Sequence, residues 1–277
     1  KKLSKKKQFE VEALIHRKKK YLKKIKNIKY IYCDISKYNN LKKKLNKKYD
    51  YIVNFSGNID HKNNFETKKI HYYGLKNLIK VISHNQIKMF IQIGSSLEYG
   101  KKPSPQKESK KCKPISYYGK AKYLASNYLQ KKIKNHIILR PYQIYGPFQK
   151  SNRLIPFIIK SCIKNKSFKC TDGFQLRDFL YIDDFTDLII KILKKNKIKN
   201  KIYNVGYGKP IEVRNVINLI VKVIKKGKPL FGEVQMRKDE SNLLYPNVKN
   251  IMKDFSWKPK VKILNGLKKT TRFYAGK

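Results

Sequence analysis

Short apolar runs alternating with helix-length segments constrain this chain more than any other feature of it. Residues 9–15, 28–33, 50–55, 88–93 and 136–139 are apolar and rich in β-branched and aromatic side chains, and each reads as a strand. Residues 38–48, 71–83 and 120–132 lie between or beside them and read as helices. Strands separated by helices predict βαβ units and a parallel sheet, hence an α/β fold. In such sheets ligands gather at the carboxyl ends of the strands. The chemistry is therefore sought at those ends.

Composition sets the outer bounds. At 277 residues with 40% hydrophobic content, the chain can bury a large core. The formal net charge of +49 invites a nucleic-acid or anionic-membrane partner. Lys, Ile, Asn and Tyr are inflated together, however, and Lys is spread over every polar stretch without a nucleic-acid motif. The charge is read as coding bias, and no specific nucleic-acid partner is expected. Cys33, Cys112, Cys162 and Cys170 have no paired spacing for metal or redox work, so no metal site is expected and the thiols read as reduced. No apolar run nears the ~18 residues of a membrane span, and residues 1–5 lack a signal-peptide core. A cytoplasmic protein without membrane attachment is expected.

At the head of the 120–132 segment, Tyr118 and Lys122 stand four residues apart, a spacing that places two side chains on one helix face. A phenol with an ordinary pKa of roughly 10 is a poor base at neutral pH. A neighbouring ammonium favours the phenolate and brings it toward useful acid/base behaviour. With 20 Tyr in a Lys-saturated chain the spacing also arises by chance. Its meaning comes from its surroundings.

Those surroundings follow in order. His16, Arg17 and Lys18 succeed the first strand; a basic residue there can hold a ribose 2′-phosphate or simply be solvated. Asp34 closes the second strand, where it could accept from an adenine amino group or cap the next helix. Asn54, Phe55, Ser56 and Gly57 end the third strand in small residues that let a ligand approach the backbone. Gly94, Ser95, Ser96, Leu97, Glu98, Tyr99 and Gly100 end the fourth, as turn chemistry or as a source of a hydroxyl for a substrate. Leu139-Arg140-Pro141, Gln143, Tyr145-Gly146-Pro147, Arg177-Asp178-Phe179, Asp183-Asp184 and Asn204-Val205-Gly206 come later. Asp183 and Asp184 are expected to cap a helix running to Leu193.

This ordered set resembles the extended short-chain dehydrogenase/reductase family, the NAD-dependent nucleotide-sugar epimerases and dehydratases, over essentially the whole chain. The resemblance implies a Rossmann-like doubly wound parallel sheet with a small mixed α/β substrate lobe. Residues 1–147, joined by 174–208, would form the cofactor domain, and 148–173 with 209–277 the lobe. It implies catalytic roles for Ser95, Tyr118 and Lys122, with Tyr118 as acid/base at a sugar hydroxyl. Cofactor contacts would come from Arg17, Asp34, Phe55, Ser56, Gly57, Tyr118 and Lys122, with NAD or NADP as the cofactor. Substrate contacts would come from Ser96, Gln143, Arg177 and Arg237, the arginines clamping a diphosphate through their planar forks. A nucleotide-sugar substrate and a homodimer built from two helices of the cofactor domain are implied as well.

The departures are informative. The family's first strand and its glycine-rich phosphate loop have no counterpart in residues 1–277, and residues 1–7 resemble the end of the helix that follows that loop. The expectation is an N-terminal truncation, with two neighbouring strands left unpaired. After Ser95 come Ser96 and Leu97, where 4,6-dehydratases carry acids, and Glu98 falls one place late. Elimination needs an acid at the leaving hydroxyl and a base at the adjacent carbon, and Leu97 supplies neither. A 4-epimerase or 4-ketoreductase acting by hydride transfer at C4 is expected. A 4,6-dehydratase of the same family and a non-catalytic dinucleotide- or partner-binding relative are the alternatives.

Overall fold

The computed structural model describes residues 2–16, 25–45, 47–58, 64–82, 87–195, 198, 201–236 and 240–276. In chain order the first elements are β1 (Val11–Ile15), β2 (Ile28–Tyr32), α1 (Tyr38–Lys44), β3 (Tyr51–Asn54), α2 (Asn64–Lys68), α3 (Gly74–Val81) and β4 (Met89–Ile93). Next come α4 (Tyr117–Lys132), β5 (His136–Pro141), β6 (Gln143–Tyr145), α5 (Leu154–Ile163), β7 (Ser167–Lys169), β8 (Leu176–Arg177) and β9 (Phe179–Tyr181). The remainder are α6 (Ile182–Leu193), β10 (Ile202–Val205), β11 (Ile211–Glu212), α7 (Val213–Ile224), β12 (Lys228–Leu230), β13 (Leu243–Leu244), α8 (Lys249–Asp254) and α9 (Ile263–Ala275).

All five strands expected from the apolar runs form. All five lie in two parallel arrangements that alternate with helices, as βαβ connectivity requires. β1 pairs with β2 in parallel, Val11 opposite Ile28 through Ile15 opposite Tyr32. A separate four-stranded sheet has the order β10-β5-β4-β3. Within it Tyr51 of β3 stands opposite Met89 of β4, and Phe90 of β4 opposite His136 of β5, both in parallel. β4 and β5 are buried along nearly their whole length, which accounts for their continuous apolar character. Among the described residues β1 and β3 each pair on one side only. Their approaches are linked by side chains: the Tyr49 hydroxyl donates to Glu12 at 2.7 Å, and the Phe9 and Tyr51 rings meet edge-on at 6.1 Å.

The chain divides into two compact units. The first comprises Lys1–Gly100, Cys112–Leu139 and Asn200–Ile202; the second comprises Lys101–Lys111, Arg140–Lys199 and Tyr203–Lys277. Most of 174–208 therefore groups with the second unit, a division different from the one drawn from the sequence. The first unit's core joins Leu75, Leu78 and Ile79 of α3 to Ala125 and Leu129 of α4 and to Phe90 and Ile138 of the sheet. Each such fully buried aliphatic contributes roughly 1.5–3 kcal/mol relative to exposure. The second unit has its own core, with Ile155, Ile158 and Ile159 of α5 against Val216, Ile217 and Ile220 of α7 and Leu267 of α9.

Several local expectations are corrected. The segment read as the tail of a helix is a single 3₁₀ turn, Leu3–Lys5. The helix expected over 71–83 begins earlier, at Asn64, and passes through a π-helical turn, Lys69–Tyr73, before α3. Asp183 and Asp184 do not cap α6 from outside; they lie in its first turn, after an N-cap at Tyr181. There Asp184 accepts the backbone N–H groups of Lys260 and Val261 at 3.0 and 2.9 Å.

Candidate active site

Two loops of the first unit, after β3 and after β4, converge on the start of α4. The helix begins at Tyr117, three residues ahead of its expected start, because Ser116 caps it: the Ser116 hydroxyl oxygen accepts from the Gly119 N–H at 3.1 Å. Tyr118 thus lies in the first turn and Lys122 one turn on. Gly119 explains how this helix end can approach the loop after β4. A Cβ there would fall 2.5 Å from the Leu97 carbonyl oxygen, so only glycine allows the contact.

Lys122 is buried, with 4% of its surface exposed. Its Nζ donates to the Ile93 carbonyl at the end of β4, at 2.7 Å, and lies 5.9 Å from the centre of the Tyr118 ring. Burial brings its pKa down to about 8, while the nearby Glu98 carboxylate works the other way. Ile93 is the only hydrogen-bond acceptor for this ammonium among the described residues. Two of its three donors are therefore available to a ligand.

Ser95 and Glu98 form a reciprocal cap around a 3₁₀ turn, Ser96–Glu98. The Ser95 oxygen accepts from the Leu97 N–H at 3.2 Å, and Glu98 Oε1 accepts from the Ser95 N–H at 2.8 Å. Ser95 and Ser96 are buried. Glu98 is wholly buried and turned under the turn, against Gly94. The Ser-x-x-Glu spacing is a capping-box signature legible in the sequence, and the sequence reading passed over it.

The loop after β3 is held by Asn54. Its side-chain oxygen accepts from the Ser56 N–H at 3.0 Å and the Ser56 hydroxyl at 2.5 Å, and its amide donates to Gln92 at 2.9 Å. Phe55 is exposed. A Cβ on Gly57 would meet His71 Cε1 at 2.5 Å, so the loop lies directly on a buried histidine. That histidine packs edge-to-face on Tyr118, with ring centres 5.1 Å apart and planes at 88°.

At the end of β2, Asp34 accepts from the Ser36 N–H and hydroxyl at 2.9 and 2.8 Å, and stands 3.9 Å from His16. The N-cap of α1 is Lys37, so Asp34 closes a turn ahead of the helix and does not cap it. Burial alone would raise its carboxyl, but the Ser36 bonds and the His16 and Lys69 charges outweigh burial and hold it below the usual carboxylate range.

In the second unit Arg177 is buried and already engaged. Its guanidinium donates to Glu240 at 2.6 Å and to the carbonyls of Leu176 and Asn242 at 2.9 and 3.2 Å. Taking a diphosphate there means exchanging Glu240 for it. Gln143 is half-buried on β6, its N–H bonded to the Asp178 carbonyl at 3.0 Å. Arg17 and Arg237 lie outside the described residues. No metal-holding cluster of His, Cys, Asp and Glu is present among the described residues. None of the described helices is long and apolar enough to cross a membrane.

A parallel α/β sheet whose strand ends meet a helix carrying Tyr118 and Lys122 one turn apart defines a dinucleotide-type α/β scaffold. The family follows from comparison: residues 1–206 match the NAD dependent epimerase/dehydratase family, and the chain belongs to it. It is 26% identical over 226 residues to dTDP-D-glucose 4,6-dehydratase of Homo sapiens, covering 76% of this chain and 63% of that one. It is 28% identical over 210 residues to UDP-glucuronate 4-epimerase of Thermodesulfobacterium geofontis, covering 72% and 63%. This chain thus spans less than two thirds of the length of either relative. The fold matches the crystal structure of UDP-glucuronic acid 4-epimerase from Bacillus cereus in complex with UDP-glucuronic acid and NAD. There the TM-score is 0.88 at 22% identity, over 98% of this chain and 93% of that one.

Proposed function

We propose that this chain is an NAD- or NADP-using enzyme that exchanges hydride at C4 of a nucleoside-diphosphate sugar, as a 4-epimerase or 4-ketoreductase. The nicotinamide, when bound, supplies the hydride acceptor and donor. Tyr118 removes the proton from the sugar hydroxyl as it is oxidised and returns it as the ketone is reduced. The Lys122 ammonium favours the phenolate that this requires. Ser95 polarises the substrate oxygen through its hydroxyl proton, its lone pair being engaged by Leu97.

The observation that carries this reading is the buried Lys122 ammonium, within 6 Å of the Tyr118 ring centre and with one protein acceptor for three donors. A buried charge so sparsely hydrogen-bonded is costly, and ribose hydroxyls would meet the two open donors. The residues present fit a dinucleotide on two sides. Lys122 and Tyr118 would hold its nicotinamide ribose, the Phe55–Gly57 turn would lie along it, and the Asp34 carboxylate would meet the adenine side. Arg17, Gln143, Ser96, Arg177 and Arg237 stay in the proposal on the family resemblance.

Two features favour epimerase or reductase over dehydratase. Leu97 has no ionisable group, and Glu98 is buried beneath its turn with Oε1 on the Ser95 N–H. Neither is suited to eliminating water.

We also propose a homodimer through the α2–α3 and α4 face. Phe65, Tyr73, Tyr117 and Leu124 are exposed there. Lys76 lies 5.5, 5.8 and 5.7 Å from the ring centres of Tyr72, Tyr73 and Tyr128. Exposed aromatic and aliphatic side chains on neighbouring helices support an association site there. Leu124→Glu is expected to shift the mass measured by light scattering from dimer to monomer; a monomeric parent chain removes the proposal.

Tyr118→Phe tests the enzymatic reading. Turnover on UDP- and dTDP-sugars with either cofactor is expected to fall by about 10²–10⁴, the usual worth of a positioned acid/base. Cofactor affinity should change by less than about threefold, since the ring is kept. Turnover close to that of the parent chain would rule out Tyr118 as the acid/base.

A further inference from the structure

The helix that precedes α3 contains an irregularity with a chemical residue at its centre. The π-helical turn Lys69–Tyr73 carries His71 into the interior, where 3% of its surface is exposed. Insertions of this type in a helix recur at functional sites. One side of the imidazole faces the loop after β3: Nε2 is 2.9 Å from the Asn58 carbonyl oxygen and 3.3 Å from the Asn58 amide nitrogen. Gly57 leaves room for the ring, as a Cβ there would sit 2.5 Å from Cε1. The other side of the imidazole meets Tyr118 edge-to-face at 5.1 Å. One buried ring therefore touches both the loop proposed to lie along the cofactor and the phenol proposed to move the proton.

We infer that His71 is the positioning residue for Tyr118. It fixes the plane of the phenol and ties it, through Asn58, to the loop after β3. The argument rests on the reading of Tyr118 as acid/base. The orientation of a phenol in the first turn of a helix, with Lys122 one turn below, depends on how far its neighbours limit its rotational freedom about the χ angles. An edge-to-face neighbour that is itself pinned by hydrogen bonding to the backbone removes that freedom. Orientation of this kind acts on the chemical step, because misplacement by about 1 Å lowers rate without weakening binding. His71 makes no direct proton transfer in this account.

Two variants separate its contacts. His71→Gln keeps a side-chain nitrogen for Asn58 and loses the ring; His71→Phe keeps the ring and loses the hydrogen bond. His71→Gln is expected to lower kcat by at least about tenfold, with KM and cofactor Kd within about threefold, and His71→Phe to lose less. Equal kcat in His71→Gln and the parent would overturn the inference, as would a loss confined to KM.

The second readout does not use turnover. With tyrosine labelled by ¹³C in the ring, the Tyr118 signal is assigned by its disappearance in Tyr118→Phe. Removing the His71 ring should move that signal and speed the ring flip; an unmoved signal would also overturn the inference. If the parent chain turns over no nucleotide sugar, the enzymatic reading fails, while the resonance still decides whether His71 orients Tyr118. Should His71→Gln fail to fold, His71→Asn is measured in its place by the same two criteria.

Discussion

In Lys122→Met a thioether takes the place of a buried ammonium, and the sign of the stability change follows from what surrounds it. The folded-state pKa is about 8 against 10.5 for the free group. At about 1.4 kcal/mol per unit, keeping Lys122 charged inside the fold costs about 3 kcal/mol below pH 8. The unfolded chain holds the proton more tightly, so this cost declines as pH rises from about 8 and is gone above about 10.5.

Against that gain stands the lost bond to the Ile93 carbonyl. A hydrogen bond to a charged group is worth roughly 1.5–3 kcal/mol. The Ile93 oxygen keeps a second donor, Gln92 Nε2 at 3.2 Å, so it is not orphaned. Glu98 keeps the Ser95 N–H. The balance at pH 7 is a stabilisation of up to about 1.5 kcal/mol, a rise in Tm of a few degrees for a chain of this size. At pH 10 the gain shrinks and turns into a small loss. Thermal unfolding of parent and variant between pH 6.5 and 10.5 measures this directly, alongside a turnover assay in which the variant should be inactive. A variant less stable than the parent at pH 7, or a difference that does not change with pH, would refute the account of Lys122 as a functionally retained, destabilising charge.

Two further outcomes follow from the same structure. Gly119→Ala forces a Cβ to within 2.5 Å of the Leu97 oxygen. It is expected to cost about 1–3 kcal/mol by pushing α4 off the Ser95–Glu98 turn, seen as a lower Tm together with reduced turnover; an unchanged Tm would mean that α4 does not sit so close. Asp178, wholly buried, accepts the N–H groups of Tyr207 and Gly208, yet burial pushes its carboxyl up to about 6. A raised folded-state pKa contributes stability that is complete below about pH 4 and lost as pH rises through about 6, here about 3 kcal/mol. The pH dependence of unfolding in that window should flatten in Asp178→Asn, and an unaltered slope would contradict it.

What was legible in the sequence was whatever repeated at the period of an element. The β4 and β5 runs are apolar throughout because both faces of those strands are covered, and they were placed to within two residues. Tyr118 and Lys122 were found together because a helix sets side chains four residues apart on one face. Three of the second unit's strands were not legible: β8, β11 and β13 are two residues long, too short for any alternation to register. The π-helical turn was missed for a related reason. One extra residue in a turn breaks the 3.6-residue period, so the pattern read as a helix starting at His71 instead of one passing through it. Glu98 was judged by its offset from a family pattern, while the local rule that assigns it, a serine cap three residues before a glutamate, went unused.

The contacts of His71 show what a linear reading leaves out. Its partners, Asn58, Gly57 and Tyr118, lie 13, 14 and 47 positions away, and no periodicity connects them. The sheet brings them together: β3 delivers Gly57 and Asn58, the π turn delivers His71, and the Ser116 cap fixes where α4 begins and so where Tyr118 stands. Each of these is a backbone device at an element's end, and each leaves a signal of one or two residues. Lys122 is held in the same way, by a carbonyl at the end of β4. The side chains proposed to react are thus few, while the atoms that aim them are mostly main-chain. Substitutions at Gly57, Gly119 and Ser116 should accordingly perturb the Tyr118 geometry as much as substitutions at the ionisable groups themselves.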